Sequence, residues 1–344
     1  MENIQYKNKL EAYQLSGLFT TALRLVVGWT YFSAFWRRLF LANKLDPNTT
    51  GYIGEKFNHF LPNALGIQGF IEYLVTHPET LWWTMVIFTI IEGIVGLLFM
   101  FGFLTRLMSI GVFGLAMGIL LGAGWIGTTC LDEWQIGVLG IAAGFTIFMS
   151  GGGTFSLDSF IIRNHASIAQ RKWFSPLGSG ILPVKSKKLP RVVAIGSGII
   201  LFITLFTNQY FHGGVWGDLH NKSVKPKIEI ADAQINENQL SFEMYRTQGV
   251  DVYGSFLIGI SLRDEQNQTI IHLDGKALSQ KESIEINNRY IAKIKPGAHS
   301  LIVPLGAKAI INLQLPEYLK HTNKAYTLIL TDISGITWEQ VIRP

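Results

Sequence analysis

Charged residues are nearly absent from one long stretch of the chain, which limits the folds available to it. Within Leu81–Ser150 the charged side chains are Glu92, Arg106, Asp132 and Glu133. Hydrophobic residues make up 48% of the 344 residues and charged residues 15%. Such a segregated composition is typical of helices that cross a membrane. The predicted spans lie at about residues 16–42, 81–104, 107–121, 135–150 and 192–211.

The basic residues predict the orientation of these spans. Residues 151–191 contain seven Lys and Arg but one acidic residue. Cytoplasmic segments beside membrane spans are enriched in Lys and Arg, so this segment is expected in the cytoplasm. Alternation then predicts five transmembrane helices with a cytoplasmic N-terminus. It puts the loop at 124–135 and the C-terminal region on the periplasmic side of a bacterial inner membrane. The first residues lack the features of a removable signal peptide.

After about residue 225 the hydrophobic pattern changes to alternation, which is typical of strands. About seven short strands separated by turn residues predict a β-sandwich-like domain. The expected fold is therefore a membrane α-helical bundle of four helices plus a fifth transmembrane helix, followed by an extracytoplasmic all-β sandwich-like domain. The predicted boundaries are 1–165 for the four-helix membrane domain, 166–191 for a basic cytoplasmic linker, 192–224 for the fifth helix and outer linker, and 225–344 for the β domain.

Several cofactor and partner classes find no support in the sequence. A single cysteine excludes an internal disulfide and a multi-cysteine metal site, and we predict no metal. The chain has no CxxCH for haem and no GxGxxG between a strand and a helix for a flavin or nicotinamide. The net charge of +5 comes from basic residues beside apolar spans, so no nucleic-acid partner is expected. Electron transfer would therefore need side chains, a diffusible carrier or a partner subunit.

The loop Gly124–Gly137 carries the densest candidate chemistry. It contains the only cysteine, Cys130, with Asp132 and Glu133 between Trp125 and Trp134. A thiolate exchanges with other sulfur compounds, and carboxylates move protons. The alternative for the cysteine is a small buried hydrophobic residue. The segment Phe211–Pro226 adds His212 and His220, although a plain linker would explain these as well.

The first span carries polar residues on one predicted face. Arg24, Gly28, Tyr31, Phe35 and Arg38 follow 4-3-4-3 spacing, which puts them on the same side of a helix. Arginine within a span is costly, so this face should look into the bundle or a wet cavity.

Two further features of the spans leave alternatives open. Arg37 and Arg38 suit a small oxyanion, or lie at the interface beside Trp36. Glu92 falls near mid-membrane and is either functional or a structural partner of Arg24.

Two remaining segments allow structural interpretations. The polar connection at 43–79 contains Phe57, Phe60, Leu61, Leu65 and Phe70, which could dock it on the membrane surface. Glycines at 111, 114, 118 and 122 fall on one face of the third span, where small residues allow close helix packing.

Four motifs together resemble a known family. LRLVVGWTYFSAFWRR in the first span, TRL after the second and GWIGTTCLDEWQIG before the fourth resemble DoxD, the large membrane unit of thiosulfate:quinone oxidoreductase. The fifth span, FHGGVWGDLHNKSVKP and the following β domain resemble its companion DoxA. The arrangement looks like a fusion of the two. The resemblance implies oxidation of two thiosulfates to tetrathionate, with two electrons passed to a membrane quinone as diffusible acceptor.

The residues themselves supply the roles that we assign within this reaction. The predicted catalytic residues are Cys130, Asp132, Glu133 and His212. The predicted substrate-binding residues are Arg37, Arg38, Trp125, Trp134 and His220. The predicted intramembrane polar residues for quinone are Arg24, Tyr31 and Glu92. The expected partners are thiosulfate, quinone and the lipid bilayer, and a homo-oligomer is compatible with the sequence. Two other functions stay open, a non-enzymatic anchor for a β-sandwich binding or assembly protein and a small-anion transporter.

Overall fold

The structure is a computed structural model. It describes residues 2–49, 51–127, 132–164, 166–169, 171–236, 238–250, 255–280, 284–316 and 324–343. The chain divides into two compact units. We name the first, Met1–Tyr52 with Trp82–Gly124 and Asp132–Leu219, the helical unit. We name the second, Ile53–Leu81 with Trp125–Leu131 and His220–Pro344, the β unit. A helical N-terminal half followed by an all-β region confirms the predicted fold class.

The α-helices follow in chain order. They are α1 Glu2–Phe19, α2 Thr21–Trp36, α3 Gly54–Phe60, α4 Gln68–Thr76, α5 Pro78–Phe101, α6 Thr105–Ala123, α7 Asp132–Ser150, α8 Leu157–Asn164, α9 Ala166–Ala169, α10 Phe174–Leu177, α11 Leu189–Phe211 and α12 Gly275–Leu278. Helices α5, α6, α7 and α11 coincide with four of the predicted spans, whereas α1 begins well before the predicted first span. A π-helical turn, Arg37–Leu41, continues α2, and a 3-10 turn, Leu61–Asn63, continues α3.

Four helices are long and apolar enough to cross a membrane, namely Pro78–Phe101, Thr105–Ala123, Glu133–Ser150 and Leu189–Phe211. A fifth crossing is added if the bent pair Asn8–Phe19 and Thr21–Leu41 counts as one span. The two halves of that pair meet at 56°. Thr20, at the bend, has non-helical backbone angles and its hydroxyl lies 3.1 Å from that of Ser150. Four apolar spans are therefore present, and the count of five stays a prediction.

Close backbone contact fixes how α2 packs on α5. A Cβ at Gly28 would lie 2.8 Å from the carbonyl oxygen of Gly96, and a Cβ at Gly96 would lie 2.5 Å from the nitrogen of Phe32. Real Cβ atoms do not approach so closely, so both positions need glycine at this helix separation. The two helices run in opposite directions. The Gly28–Gly96 contact therefore sets which residues of α5 lie beside each turn of α2.

Glycines also bring α6 and α7 together, although not those that the sequence indicated. A Cβ at Gly140 of α7 would lie 2.6 Å from the Cβ of Ala116 on α6. The prediction for the third span is correct for Gly111, where a Cβ would lie 2.9 Å from Val95. It is wrong for Gly114 and Gly118, where a Cβ would meet no described atom within 4 Å. The close contact therefore depends on the glycines of α7.

The segment that follows α7 is held by a buried carboxylate. Asp158 of α8 accepts hydrogen bonds from the backbone nitrogens of Leu104 and Thr105, at 2.8 and 2.9 Å. It also accepts from the hydroxyls of Thr105 and Ser179, at 2.6 and 2.8 Å. The first turn of α6 has backbone N–H groups without helical partners, and Asp158 satisfies two of them from another helix. The segment after residue 150 is thus anchored at this point.

Arg106 holds the same segment from the side of α6. It lies in the first turn of α6, and it is fully buried. Its guanidinium donates to the carbonyl oxygens of Phe148 at 3.0 Å and Gly180 at 2.6 Å, and also to that of Ser175. These bonds join the first turn of α6 to the end of α7 and to the segment that contains Ser175 and Gly180.

Helix α11 is part of the helical unit and packs against α7 along one side. A Cβ at Gly196 would lie 2.5 Å from the ring of Phe145 on α7, so the helices touch closely there. Most of its other apolar side chains, including Phe202 and Leu201, are exposed in the chain. This distribution is typical of a helix surrounded by lipid.

The β unit contains ten strands among the described residues. They are β1 Lys227–Asn236, β2 Gln239–Gln248, β3 Ser255–Arg263, β4 Thr269–Asp274, β5 Glu285–Asn288, β6 Lys295–Pro296, β7 Leu301–Val303, β8 Lys308–Gln314, β9 Tyr326–Asp332 and β10 Thr337–Ile342. One sheet has the order β1-β2-β8-β5. The other has the order β10-β9-β3-β7-β6, with β4 also paired to β3. All pairs are antiparallel, and alternate residues of β2 and β8 are buried in a common apolar core.

The connection before α5 belongs to this β unit. Leu61 is buried in a cluster with Ile71, Val75 and Tyr290 of the β region, and Phe57 and Phe60 pack against that cluster. Asn58 is fully buried and bonded at both ends of its amide. Its Nδ2 donates to the carbonyl oxygen of Gly306, and its Oδ1 accepts from the nitrogen of Ala292, both at 3.0 Å.

The prediction that this connection docks on a membrane surface is therefore wrong for Leu61, whose side chain is buried by protein. Phe57 and Phe60 are partly buried against the same cluster, and for them the docking stays a prediction. Leu65 is half-buried, and Phe70 remains exposed.

Candidate functional site

The polar face predicted for the first span is present in the helical unit. Arg24, Gly28 and Tyr31 are the buried residues of α2. Arg38 lies seven residues after Tyr31, in the π-helical turn that continues α2, and its side chain is only 14% exposed. The 4-3-4-3 spacing thus predicted correctly which side of the helix faces other protein.

Arg38 and Glu92 form an ion pair inside the helical unit. Arg38 Nη1 donates to Glu92 Oε2 at 2.8 Å and to the Thr89 hydroxyl at 3.0 Å. The ring of Phe88 lies 6.0 Å from the Arg38 guanidinium carbon. The Glu92 side chain is 6% exposed, so this is a largely desolvated pair that needs its hydrogen bonds. The structural partner suggested for Glu92 was Arg24, and the observed partner is Arg38.

Arg24 performs a different task about 20 Å along the helix from Arg38. Its guanidinium donates to the carbonyl oxygens of Phe99 at 3.2 Å and Phe155 at 2.6 Å, and also to that of Met100. Phe99 and Met100 lie in the last turn of α5, where carbonyl groups have no helical partner and a cation is favourable. Arg24 therefore joins the end of α5 to the segment after α7, away from Glu92.

Tyr31 lies between these two arginines and on the same face. It is 3% exposed, and its hydroxyl has no hydrogen-bond partner among the residues that the structure describes. A Cβ at Gly140 of α7 would lie 2.9 Å from this hydroxyl, so only glycine leaves room for it. Tyr31 packs in one buried cluster with Val95, which lies about one helical turn after Glu92 on α5. Tyr31, Arg38 and Glu92 thus form a polar cluster between α2, α5 and α7.

Arg37 differs from its neighbour in exposure. Its side chain is exposed, and its guanidinium donates to the Ser33 carbonyl oxygen at 3.3 Å and to the Ser33 hydroxyl at 3.2 Å. A guanidinium has five N–H donors, so these two bonds leave further donors for a ligand. Arg37 can therefore bind an anion from solution, whereas Arg38 is already paired with a carboxylate.

The loop after α6 begins with two residues held within the β unit. Trp125 is fully buried, and its ring nitrogen donates to the carbonyl oxygen of Phe60 at 3.1 Å. Gly127 donates from its nitrogen to the Ser223 hydroxyl at 3.1 Å, and its carbonyl oxygen accepts from that hydroxyl and from Asn221 at 3.0 Å. Cys130 lies outside the described residues.

Two predicted residues open helix α7. Asp132 is its first residue, and Glu133 follows with a half-buried side chain. Carboxylates in the first turn of a helix are stabilised by its dipole. This placement alone would account for a carboxylate at Glu133.

Trp134 and His212 connect α7, α11 and the end of α6. The Trp134 ring nitrogen donates to the Thr207 hydroxyl of α11 at 3.0 Å. His212 is 2% exposed, and its Nε2 lies 2.8 Å from the carbonyl oxygen of Gly124. Because a carbonyl oxygen can only accept, Nε2 carries the proton in this contact. His220, by contrast, is exposed.

The structure thus brings some predicted residues together and separates others. Tyr31, Arg38 and Glu92 form one cluster, while Arg24, Arg37, His212 and His220 each have other surroundings. Sequence reasoning missed Thr89, Gly140, Asp158, Asn221 and Ser223. A threonine three residues before Glu92 on the same face was the one available signal. Within the described residues no group of three or more His, Cys, Asp or Glu could hold a metal ion.

Apolar helices joined to an antiparallel β region define a membrane protein with an all-β domain. Two family matches then place the chain more narrowly. Residues 19–185 match the family described as TQO small subunit DoxD, and residues 211–341 match TQO small subunit DoxA. The chain belongs to these families as a DoxD–DoxA fusion, related to thiosulfate:quinone oxidoreductase. The expectation that DoxD is the large unit is wrong, since both families are described as small subunits.

One solved structure is similar to part of the chain. It is the archaellum periplasmic stator protein FlaG from Sulfolobus acidocaldarius, with 12% sequence identity. The match covers 34% of this chain and 99% of that chain, with a TM-score of 0.21.

Proposed function

We propose that the protein is a membrane thiosulfate:quinone oxidoreductase that converts thiosulfate to tetrathionate. The observation that carries the proposal is the pair of family matches, DoxD at 19–185 and DoxA at 211–341, in one chain. The apolar helices give a lipid-soluble quinone access to the protein. The thiosulfate side of the reaction is assigned to the extracytoplasmic face of the inner membrane.

The overall reaction consumes two thiosulfates, one quinone and two protons. Two thiosulfate dianions lose one electron each and join through their terminal sulfur atoms to give tetrathionate. The quinone takes up both electrons and both protons and becomes the quinol. Charge, atoms and electrons balance without a further oxidant.

A covalent route assigns the first step to the Cys130 thiolate. Its Sγ forms a bond to the terminal sulfur of the first thiosulfate, and the two electrons released pass to the quinone. The terminal sulfur of the second thiosulfate then attacks the sulfur bound to Sγ. The Sγ–S bond breaks, tetrathionate leaves and the Cys130 thiolate is restored. In the alternative route, two thiosulfates are oxidised directly without a cysteine adduct.

Anion recognition is assigned first to Arg37. Its exposed guanidinium retains donor groups for a sulfonate end. Arg38 has its charge balanced by Glu92 at 2.8 Å, so its contribution to anion binding is a smaller one. Trp125, Trp134 and His220 complete the proposed substrate-binding set. Asp132, Glu133 and His212 are proposed to move protons.

A steady-state assay of the full-length chain tests the function. Purified protein in detergent is given thiosulfate and decylubiquinone, and both quinol and tetrathionate are measured. The proposal expects two thiosulfates consumed for each quinol formed. No thiosulfate-dependent quinol formation would refute the enzyme and favour the anchor for a binding domain. Uptake of labelled thiosulfate into quinone-free liposomes would favour the anion transporter.

Two substitutions test the assigned residues. Cys130→Ser should abolish turnover by the covalent route, and iodoacetamide should inhibit the wild type while leaving any residual activity of the variant unchanged. Normal turnover by Cys130→Ser would leave only the direct route. Arg37→Ala should raise the thiosulfate KM about tenfold, since a charge-assisted hydrogen bond contributes about 1.5–3 kcal/mol. Arg163→Ala, which removes an exposed arginine of α8, is the matched control.

A further inference from the structure

The Tyr31 hydroxyl is a polar group whose surroundings leave it unsatisfied. Tyr31 is 3% exposed, and its hydroxyl finds no partner in the described part of the chain. Buried hydroxyls in proteins nearly always have a hydrogen-bond partner, so an exception points to a bound water or ligand. Leaving the group unsatisfied costs about 1–3 kcal/mol. A bound partner would remove this energetic cost.

The position of Tyr31 limits what that partner can be. It lies near the middle of Thr21–Leu41, the second half of the bent pair counted as a potential span. Around it are α5 and α7, which are both apolar enough to cross a membrane. A dianion such as thiosulfate is strongly disfavoured at such depth, whereas a neutral lipid-soluble molecule with a carbonyl acceptor is not.

The neighbours of Tyr31 supply the remaining chemistry. Glu92 lies about one helical turn before Val95, which packs in the same buried cluster as Tyr31. Arg38 donates to Glu92 at 2.8 Å and to the Thr89 hydroxyl at 3.0 Å, which fixes the carboxylate on this face. Ionisable groups in membrane spans commonly form proton pathways. The Arg38 side chain is 14% exposed, that of Glu92 6% and Tyr31 3%, so exposure to the surroundings falls from Arg38 to Tyr31.

We propose that Tyr31 is a catalytic residue that binds and protonates the quinone head group, with the Arg38–Glu92 pair as its proton supply. This assignment rests on the proposed function. The Tyr31 O–H donates a hydrogen bond to one quinone carbonyl oxygen. As the quinone accepts two electrons from two thiosulfates, that oxygen takes the tyrosine proton. The phenolate recovers a proton from water by way of the Glu92 carboxyl group, and water supplies the second quinol proton.

Gly140 is the positioning residue of this site. It keeps α7 clear of the Tyr31 hydroxyl, because a Cβ there would lie 2.9 Å from that oxygen and 2.6 Å from the Cβ of Ala116. Gly140→Ala should therefore displace the phenol. Gly118→Ala is the matched control, since a Cβ at that helical position meets nothing within 4 Å among the described atoms.

Quinone binding is measured first without thiosulfate. Full-length protein in detergent is titrated with decylubiquinone, and quenching of tryptophan fluorescence gives the dissociation constant. Tyr31→Phe keeps the ring and removes only the hydroxyl, so it should fold even if Gly140→Ala does not. Loss of one hydrogen bond should weaken binding about fivefold to tenfold. Tyr210→Phe, at an exposed position of α11, should bind as the wild type does.

Turnover then separates binding from proton transfer. Tyr31→Phe should raise the decylubiquinone KM and lower kcat while the thiosulfate KM stays unchanged. Glu92→Gln should lower kcat and alter its pH dependence. An unchanged decylubiquinone dissociation constant in Tyr31→Phe would overturn the assignment, because the hydroxyl would then be hydrogen-bonded to a water molecule and not to the quinone.

The two proposals fail in different ways. A wild type that binds decylubiquinone through Tyr31 without oxidising thiosulfate overturns the proposed function and retains the site. A wild type that oxidises thiosulfate, with Tyr31→Phe indistinguishable from it, overturns the site alone.

Discussion

Asp158→Asn should destabilise the helical unit far more than its small size change suggests. The asparagine oxygen can still accept from the Leu104 nitrogen, which lies 2.8 Å from the carboxylate in the native protein. Its NH₂ group, however, replaces the oxygen that accepts from the Thr105 nitrogen, the Thr105 hydroxyl and the Ser179 hydroxyl. The two hydroxyls can rotate and accept instead. The Thr105 N–H cannot, so a buried donor at the start of α6 loses its acceptor.

The size of the effect follows from three losses. An unsatisfied buried donor costs about 1–3 kcal/mol, and hydrogen bonds to a charged group contribute about 1.5–3 kcal/mol each. The carboxylate also attracts Arg24 and Arg106, both of which are buried nearby. Removing one charge from a buried network commonly costs about 3–5 kcal/mol in net terms. For a unit of this size that corresponds to a melting temperature lower by about 8–15 °C.

Thermal unfolding of purified full-length protein, followed by tryptophan fluorescence in detergent, measures this effect. Scan rates must match, because membrane proteins often unfold irreversibly. Asp274→Asn is the control with the same chemical change. Asp274 is exposed and caps α12 through the Ala277 nitrogen at 2.8 Å, a role that asparagine fills equally well. Equal melting temperatures for the two variants would refute the argument that Asp158 anchors the segment after α7.

Two further predictions concern the β unit. Asn58→Ala removes a fully buried amide and leaves two backbone groups unpaired, so denaturant titration should show a free energy of unfolding lower by about 2–5 kcal/mol. A loss smaller than that of Asn63→Ala, at a half-exposed position, would contradict this prediction. Burial, together with donation of the Tyr290 hydroxyl to Glu72 at 2.7 Å, raises the pKa of Tyr290 above its usual range. The stability gained from the neutral phenol is present below about pH 10 and is lost as pH rises further, so Tyr290→Phe should flatten the alkaline loss of stability, and identical pH profiles would exclude this cause.

The sequence predicted features that depend on one helix at a time. Apolar runs defined four of the spans to within a few residues, and the spacing of Arg24, Tyr31 and Arg38 defined the buried face of α2. The pairing of Arg24 with Glu92 failed because it depends on the register between two helices. That register follows from the contact of Gly28 with Gly96, which no pattern within a single helix reveals.

Composition also cannot distinguish whether an apolar surface is covered by lipid or by another part of the protein. Phe57, Phe60 and Leu61 indicated a covered face, and either lipid or protein would cover it equally well. In the β region the seven predicted strands omitted β1, β6 and β10, each of which is at one end of a sheet order. Edge strands bury few residues, and β1 has only Ile228 fully buried, so their patterns resemble those of solvated segments. The surroundings of Cys130, outside the described residues, stay a prediction.

The composition of the β unit has a consequence for how the chain is made. Ile53–Leu81 and Trp125–Leu131 belong to this unit, although most of it follows His220. During synthesis at roughly 5–20 residues per second, the earliest of these segments waits on the order of ten seconds or more for its partners. Throughout that interval the apolar side chains around Leu61 and Trp125 are uncovered. Carrying DoxD and DoxA on one polypeptide guarantees that the two are made in equal number and at a high local concentration of each other.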